Sequence, residues 1–382
     1  MASPQHRYRI RAVLETQTPL QIADPGAYYV DFNGRFVGKG HGFPCTCVHR
    51  MPFPCWPAPA SGEHDLDTPR PSASKAELVD VPVIPANTLR GALRRQAANL
   101  YYDRLLATGQ CLFPKAYNVL QCGAASGHPA GDPPGFDYLL AAGEDAYFGV
   151  FGGGPYMLPS KMRLDRGIPP TPLTLDFLDV PGIEAWYCEV EALTSLHAER
   201  RCDDLLMLVH ADRLPALLQD GREAINAYQD GEMARKAAKR RAETQSSEEA
   251  EDREEAARPT RGLMAFRFVE TVNSGMAFSL RLDIEGGPQH LGLVLAALDR
   301  LITQSGLGGY RRHACGALAL PASHISIDDG PYVGLGEQTD EGLRWLEAET
   351  PAIAEALAAW QAQAEAISAA QIEAFCGGRP AP

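Results

Sequence analysis

The segment Leu301–Leu318, LITQSGLGGYRRHACGAL, decides the reading of this chain. Before it, Leu291, Leu293, Leu295, Leu298 and Leu301 form a helix-like apolar run, and an apolar run resumes after it. Between the two lie Gly306, Gly308, Gly309, Arg311, Arg312 and Gly316. Glycine lets backbone amides come close to an anion, and adjacent guanidinium groups fork onto phosphate. The segment therefore reads in two ways: as a phosphate-contacting loop between a helix and a strand, or as a tight turn with solvated arginines.

At 382 residues the chain exceeds the usual size of one domain, so a core with large insertions, or two domains, is expected. Its 45% apolar content is that of a globular protein. No apolar run approaches the roughly 20 residues of a membrane span, and MASPQHRYRIRAVLE has no signal-peptide core, so no membrane partner and a cytoplasmic location are expected. Nine irregularly spaced cysteines do not make a disulfide framework. The net charge of −13 is unevenly spread: residues 327–382 carry −8 and Glu248–Glu255 carry −5. The remainder is neutral, which leaves room for a local basic groove.

Working outward, RYRIRAVLETQ (7–17) reads as a strand with one wet face. Residues 38–76, rich in Gly, Pro, Ser and Cys, read as a long loop. VPVIPANTLRGALRRQAANLYYDRLLATG carries a helix starting near Pro85, Asn87 or Thr88 and ending at Gly109. Arg90 and Arg94 share one face of it beside Gly91. FGVFGGG (148–154) ends an aromatic run in glycine, with Lys161 and Arg163 following, and LTLDFLDV (173–180) alternates like a strand. Residues 230–258 pass from basic to acidic with almost no large apolar groups, as a solvated helix or a disordered segment does. FRFVETVNSGMAFSLRLDI (266–284) reads as two strands hairpinned around Asn273–Gly275. From Pro351, Ile353, Leu357, Trp360, Ala364 and Ile367 form the stripe of a docked amphipathic helix. Strand, helix, strand, strand, helix, strand is the ferredoxin-like plan shared by RNA-recognition domains, so the expected class is α+β.

Four pieces in order resemble the RAMP superfamily, and within it the repeated backbone subunits of CRISPR effector complexes, most of all those of type IV. IPANTLRGALR (84–94) is similar to the family's I-P-G-S-S-L-K/R-G-x-L/I-R, with Ala86–Asn87 for the usual Gly-Ser. YFGVFGGG (147–154) is similar to its L-F-G block, and FVETVNSGMAFSLRLDI (268–284) to E-x-V-x-x-G-x-x-F-x-F. The opening segment resembles its L-G-G-x-x-x-x-G-x-G loop, with Arg311–Arg312–His313 in place of small residues.

The resemblance implies an RNA-recognition-type palm with large thumb and loop insertions and a C-terminal helix. Residues 1–37 and 77–185 would form the first part of the palm and 266–326 the second. A Cys/Pro-rich insertion over 38–76, a thumb-like insertion over 186–265 and an acidic tail over 327–382 complete the division. It further implies a non-catalytic subunit without cofactor that oligomerises along crRNA, meeting complementary target DNA or RNA and other effector subunits. Carried over, the guide contacts are Asn87, Thr88, Arg90 and Arg94 on the first helix, Ser274 and Gly275 on the hairpin, and Arg311 and Arg312 on the glycine-rich loop. Lys161 and Arg163 join them from their chemistry alone. Arg261, Met264, Phe266 and Arg267 lie at the expected return of the thumb, where an apolar wedge interrupts stacking.

Rival readings are an endoribonuclease of the same superfamily, cutting target RNA or processing guides, and a single-copy RNA-binding module. Asp31, Asp65 and Asp67 are the candidate cleaving carboxylates and His6 the candidate guide-processing histidine; solvated loop residues are the alternative. His41, Cys45, Cys47, His49 and Cys55 have ligand types that suit zinc, but Cys-x-Cys is an atypical spacing and the alternative is a loop of reduced cysteines. FGGGP lacks the Lys-Ser/Thr of a P-loop, and no serine or cysteine motif pairs with the scattered histidines.

Overall fold

The computed structural model describes residues 5–39, 41–55, 77–123, 135–202, 264–311, 314–339 and 342–377, with isolated positions between 223 and 234. In chain order the strands are β1 (His6–Thr16), β2 (Tyr28–Val30), β3 (Phe43–Thr46), β4 (Arg50–Cys55), β5 (Glu77–Pro82), β6 (Met162–Leu164), β7 (Thr194–Cys202), β8 (Met264–Val272), β9 (Ala277–Gly286), β10 (Leu318–Ile327), β11 (Val333–Gly334), β12 (Gly336–Thr339) and β13 (Gly342–Trp345). The helices are α1 (Ala86–Ala107), α2 (Pro114–Cys122), α3 (Phe136–Glu144), α4 (Ala146–Phe151), α5 (Pro288–Arg300), α6 (Pro351–Ala366) and α7 (Ala369–Phe375).

The chain divides into two compact units. One comprises Met1–Ala23, Val48–Ser195 and Val272–Pro382; the other comprises Asp24–Cys47 and Leu196–Thr271. The first is organised by an antiparallel sheet of order β11-β10-β1-β9-β6. Read as β1-α1-β6-β9-α5-β10, it has the strand order of a ferredoxin-like domain, in agreement with the expected α+β class. The alternation in β1 explains the layering. Tyr8, Ile10, Ala12 and Leu14 enter the main core, as do Phe278, Leu280, Leu282 and Ile284 of β9, against Leu89, Leu93 and Tyr101 of α1 and Leu291 and Leu295 of α5. Arg7, Arg9 and Arg11 alternate with them and pair in register with Glu285, Asp283 and Arg281 on the other face. The second unit is built on a sheet of order β2-β3-β8-β7, in which β3 and β8 are parallel. Its small core holds Val30, Cys45, Cys47 and Phe268.

Several expectations are corrected. Residues 38–76 contain β3 and β4, the latter paired with β5; residues 56–76 and most of 230–258 lie outside the described residues. The alternating 173–180 is no strand. Pro169, Pro170, Pro172 and Pro181 supply no ladder donors, Thr171 and Thr174 bond each other's segment, and Leu175–Phe177 closes a 3-10 turn. The two strands around Asn273–Gly275 form but do not pair with each other: β8 joins the second unit's sheet and β9 the palm. The turn's amides are engaged elsewhere, Asn273 donating to the Leu193 carbonyl and Gly275 to that of Thr16. Within residues 327–382 the expected docked helix forms from Pro351, and Ile353, Trp360, Ile372 and Phe375 are part of the main core.

Candidate nucleic-acid interface

The glycine-rich loop follows a π-helical turn, Leu301–Ser305, that continues α5. Four of its amides in particular are spent within the protein. Gly306 donates to the Leu301 carbonyl, Leu307 to Gly316, Gly309 to Gln21 and Gly316 to Pro19. Gly316 has φ +87°, and a Cβ there would stand 1.9 Å from the Leu307 carbonyl oxygen; at Gly308 it would stand 2.3 Å from that of Gln21. These positions need glycine because the loop folds onto the chain just after β1, not because these amides cradle an anion. The phosphate reading thus contracts to the arginines.

Arg311 is exposed, with Nη1 3.1 Å from the Ser305 hydroxyl. That hydroxyl also accepts from Gln96 Nε2 of α1 at 2.9 Å, which ties the loop to the helix. Arg95, next along α1 and overlooked in the sequence, is exposed, and its guanidinium pKa is lowered by burial and by the charge of Arg311. Two neighbouring cations attract an anion. The available sequence signal was LRRQ: successive helical residues diverge by roughly 100°, so Arg94 and Arg95 face different ways.

Arg90 and Arg94 turn inward instead. Both donate through Nη2 to the Phe151 carbonyl at 2.7 Å, and Arg94 Nη1 donates to the Cys122 carbonyl at 3.0 Å. Phe151 and Cys122 end α4 and α2, where the carbonyls carry partial negative charge. Arg94 also sits 5.6 Å from the Phe151 ring centroid. Arg94→Ala is therefore expected to destabilise the fold by about 2–3 kcal/mol, read from the denaturant midpoint, from the loss of charged hydrogen bonds to helix ends. RNA retention per folded molecule should hardly change.

The other predicted residues scatter. Asn87 is exposed and Thr88 half-buried in the first turn of α1. Ser274 and Gly275 are exposed on a turn stitched to Thr16, while Gln17 donates to Ala317, so this turn and the end of the glycine-rich loop meet consecutive residues. Arg267 is ion-paired with Glu199 at 2.6 Å. Met264 and Phe266 belong to the backbone of β8; Arg261, Arg312, Asp65 and Asp67 lie outside the described residues.

Lys161 and Arg163 line an open cleft of about 550 Å³ with Gln5, Arg7, Asp283 and Glu285, and burial lowers the Lys161 pKa. Beside it Arg11, Arg163, Asp165, Arg281 and Asp283 enclose about 80 Å³. This face of the palm, opposite the main core, is rich in arginine, yet carboxylates meet it. Arg11 pairs with Asp283 at 2.7 Å, Arg281 with Asp165 at 3.3 Å, and Arg9 with Asp329. Arg163, with its side chain 80% exposed, is held loosely, 3.6 Å from Asp165. The R-x-R-x-R run of β1 announced this face as wet but not as paired.

Asp31 Oδ1 accepts from the amides of Asn33 and Arg35 and so closes a turn. Cys45 and Cys47 are buried in the second unit's core with their sulfurs 3.6 Å apart. Among the described residues no three His, Cys, Asp or Glu side chains form a metal-binding group. His6 pairs with Asp328 at 2.7 Å. No described helix is long and apolar enough to cross a membrane.

No protein-family model matches this chain, and no curated protein matches it. Among solved structures, a chain titled "Type IV-B CRISPR Complex" is similar over 90% of this chain and 99% of that one, at 11% identity and a TM-score of 0.42.

Proposed function

We propose that this chain is a guide-RNA-binding backbone subunit of a CRISPR effector complex, of type IV. It oligomerises along crRNA, grips the sugar-phosphate backbone without sequence specificity, and presents the guide to complementary target DNA or RNA. Its partners are copies of itself and other effector subunits. The observation that carries this reading is the palm order β10-β1-β9-β6 with the glycine-rich loop folded against the segment after β1 and Arg311 exposed on it. A subunit that serves many guides must read phosphate and ribose instead of base edges, and an exposed arginine on a hydrogen-bonded loop suits that task.

The test is purification of the chain with its RNA, beside Arg311→Ala with Arg312→Ala. RNA length should set the oligomer length. The double variant should stay folded, retain less RNA, and give a plot of log affinity against log salt shallower by about 1.4, as two lost single-strand phosphate contacts require. One-to-one binding, or accumulation of cleavage products, would overturn the proposal.

A further inference from the structure

The second unit carries a hairpin tip that the guide-binding reading leaves unused. Between β2 and β3 the chain runs DFNGRFVGKGHGF (31–43). Phe32 is 72% exposed and Phe36 63% exposed, although large rings ordinarily enter a core. Each is braced from beneath. Phe32 meets Phe43 edge-on with centroids 4.5 Å apart, Phe36 meets Tyr28 at 6.3 Å, and Phe43 in turn contacts Phe268 at 6.1 Å.

The tip between the rings is preorganised. Asp31 Oδ1 accepts from the Asn33 and Arg35 amides at 2.8 and 2.9 Å, the Asp31 amide donates to the Arg35 carbonyl, and Gly34 donates back to the Asp31 carbonyl. The Val37 amide donates to Tyr29, which holds the returning limb. Binding therefore costs little ordering of the backbone. From Tyr28 to Cys47 the only acid is Asp31, engaged in that turn, whereas Arg35 and Lys39 are exposed, in a chain whose net charge is −13.

We infer that Phe32 and Phe36, with Arg35 and Lys39, form a stacking site for unpaired bases of a single-stranded nucleic acid. Exposed rings offer a face to any base, and cations beside them meet the phosphates that link those bases. An aliphatic protein-docking patch would need neither the π faces nor the basic flank. This contact does not require guide binding by the palm.

The test is fluorescence anisotropy on the full chain with short oligouridylate, oligothymidylate and a duplex of equal length. The two homopolymers separate RNA from DNA as the natural source of the strand. Both single strands should bind more tightly than the duplex. Phe32→Ala with Phe36→Ala should weaken single-strand binding by about tenfold or more. Phe32→Leu with Phe36→Leu keeps an apolar surface without π faces and should weaken it as much. Arg35→Ala with Lys39→Ala should flatten the salt dependence. Leucine variants that bind like the native chain would overturn the inference, and so would duplex binding as tight as single-strand binding. Ring variants that change self-association in sedimentation while leaving oligonucleotide affinity intact would overturn it too, and assign the rings to a protein contact.

Discussion

Gly316→Ala should destabilise the protein by about 4 kcal/mol, and the lost stability should come with lost RNA. A left-handed backbone costs an alanine about 1–2 kcal/mol. At φ +87° the new methyl would also sit 1.9 Å from the Leu307 carbonyl oxygen, so the loop must open. Opening breaks the Leu307–Gly316 and Gly316–Pro19 hydrogen bonds that seat the loop after β1. Arg311 then loses its fixed place beside Ser305. Denaturant unfolding measures the first effect and retained RNA per folded molecule the second. Native-like stability in the variant would show that the loop is not seated this way. By contrast, Arg311→Ala should remove RNA with little change in stability, because that side chain is exposed.

The second large effect concerns Asp145, which is 4% exposed and joins three helices. Its carboxylate caps α4 by accepting from the Tyr147 and Phe148 amides, and also accepts from Tyr101 of α1 and Gln363 of α6. Asp145→Ala leaves these buried donors unpaired and should cost about 3 kcal/mol or more. Burial raises the carboxyl pKa to about 6, against the pull of those hydrogen bonds. The folded chain therefore holds this proton more tightly than the unfolded chain. The stabilisation linked to protonation is complete below the ordinary carboxyl pKa near 4 and is lost as pH rises through about 6. Between those limits the stability difference between native protein and Asp145→Asn should fall by about 3 kcal/mol, at 1.36 kcal/mol per pKa unit. A flat difference across this range would exclude Asp145 as the titrating group.

The palm was legible because its signals are local. The alternation of β1, the 22-residue α1 and the Pro351 helix start each record burial on one face. The destinations of polar groups were not legible, because they depend on residues far away in the chain. Arg90 and Arg94 look like a basic helical stripe until the ends of α2 and α4 arrive to receive them. Arg11 looks solvated until Asp283, some 270 positions later, meets it. The turn at Asn273–Gly275 looked like a hairpin because its residues are hairpin residues; only the bonds to Leu193 and Thr16 send its two strands into different sheets. The glycines showed that the backbone must bend sharply, but not that their amides would be answered by Pro19 and Gln21.

The placement of β1 has a consequence for synthesis. It lies between β9 and β10, both made more than 250 residues after it. At about 5–20 residues per second, this strand waits roughly 15–60 s with both edges bare. Unpaired apolar strands are templates for wrong pairing. The arginines at positions 7, 9 and 11, paired with carboxylates in the finished sheet, are during that interval a run of like charge that repels a second nascent copy of the same strand.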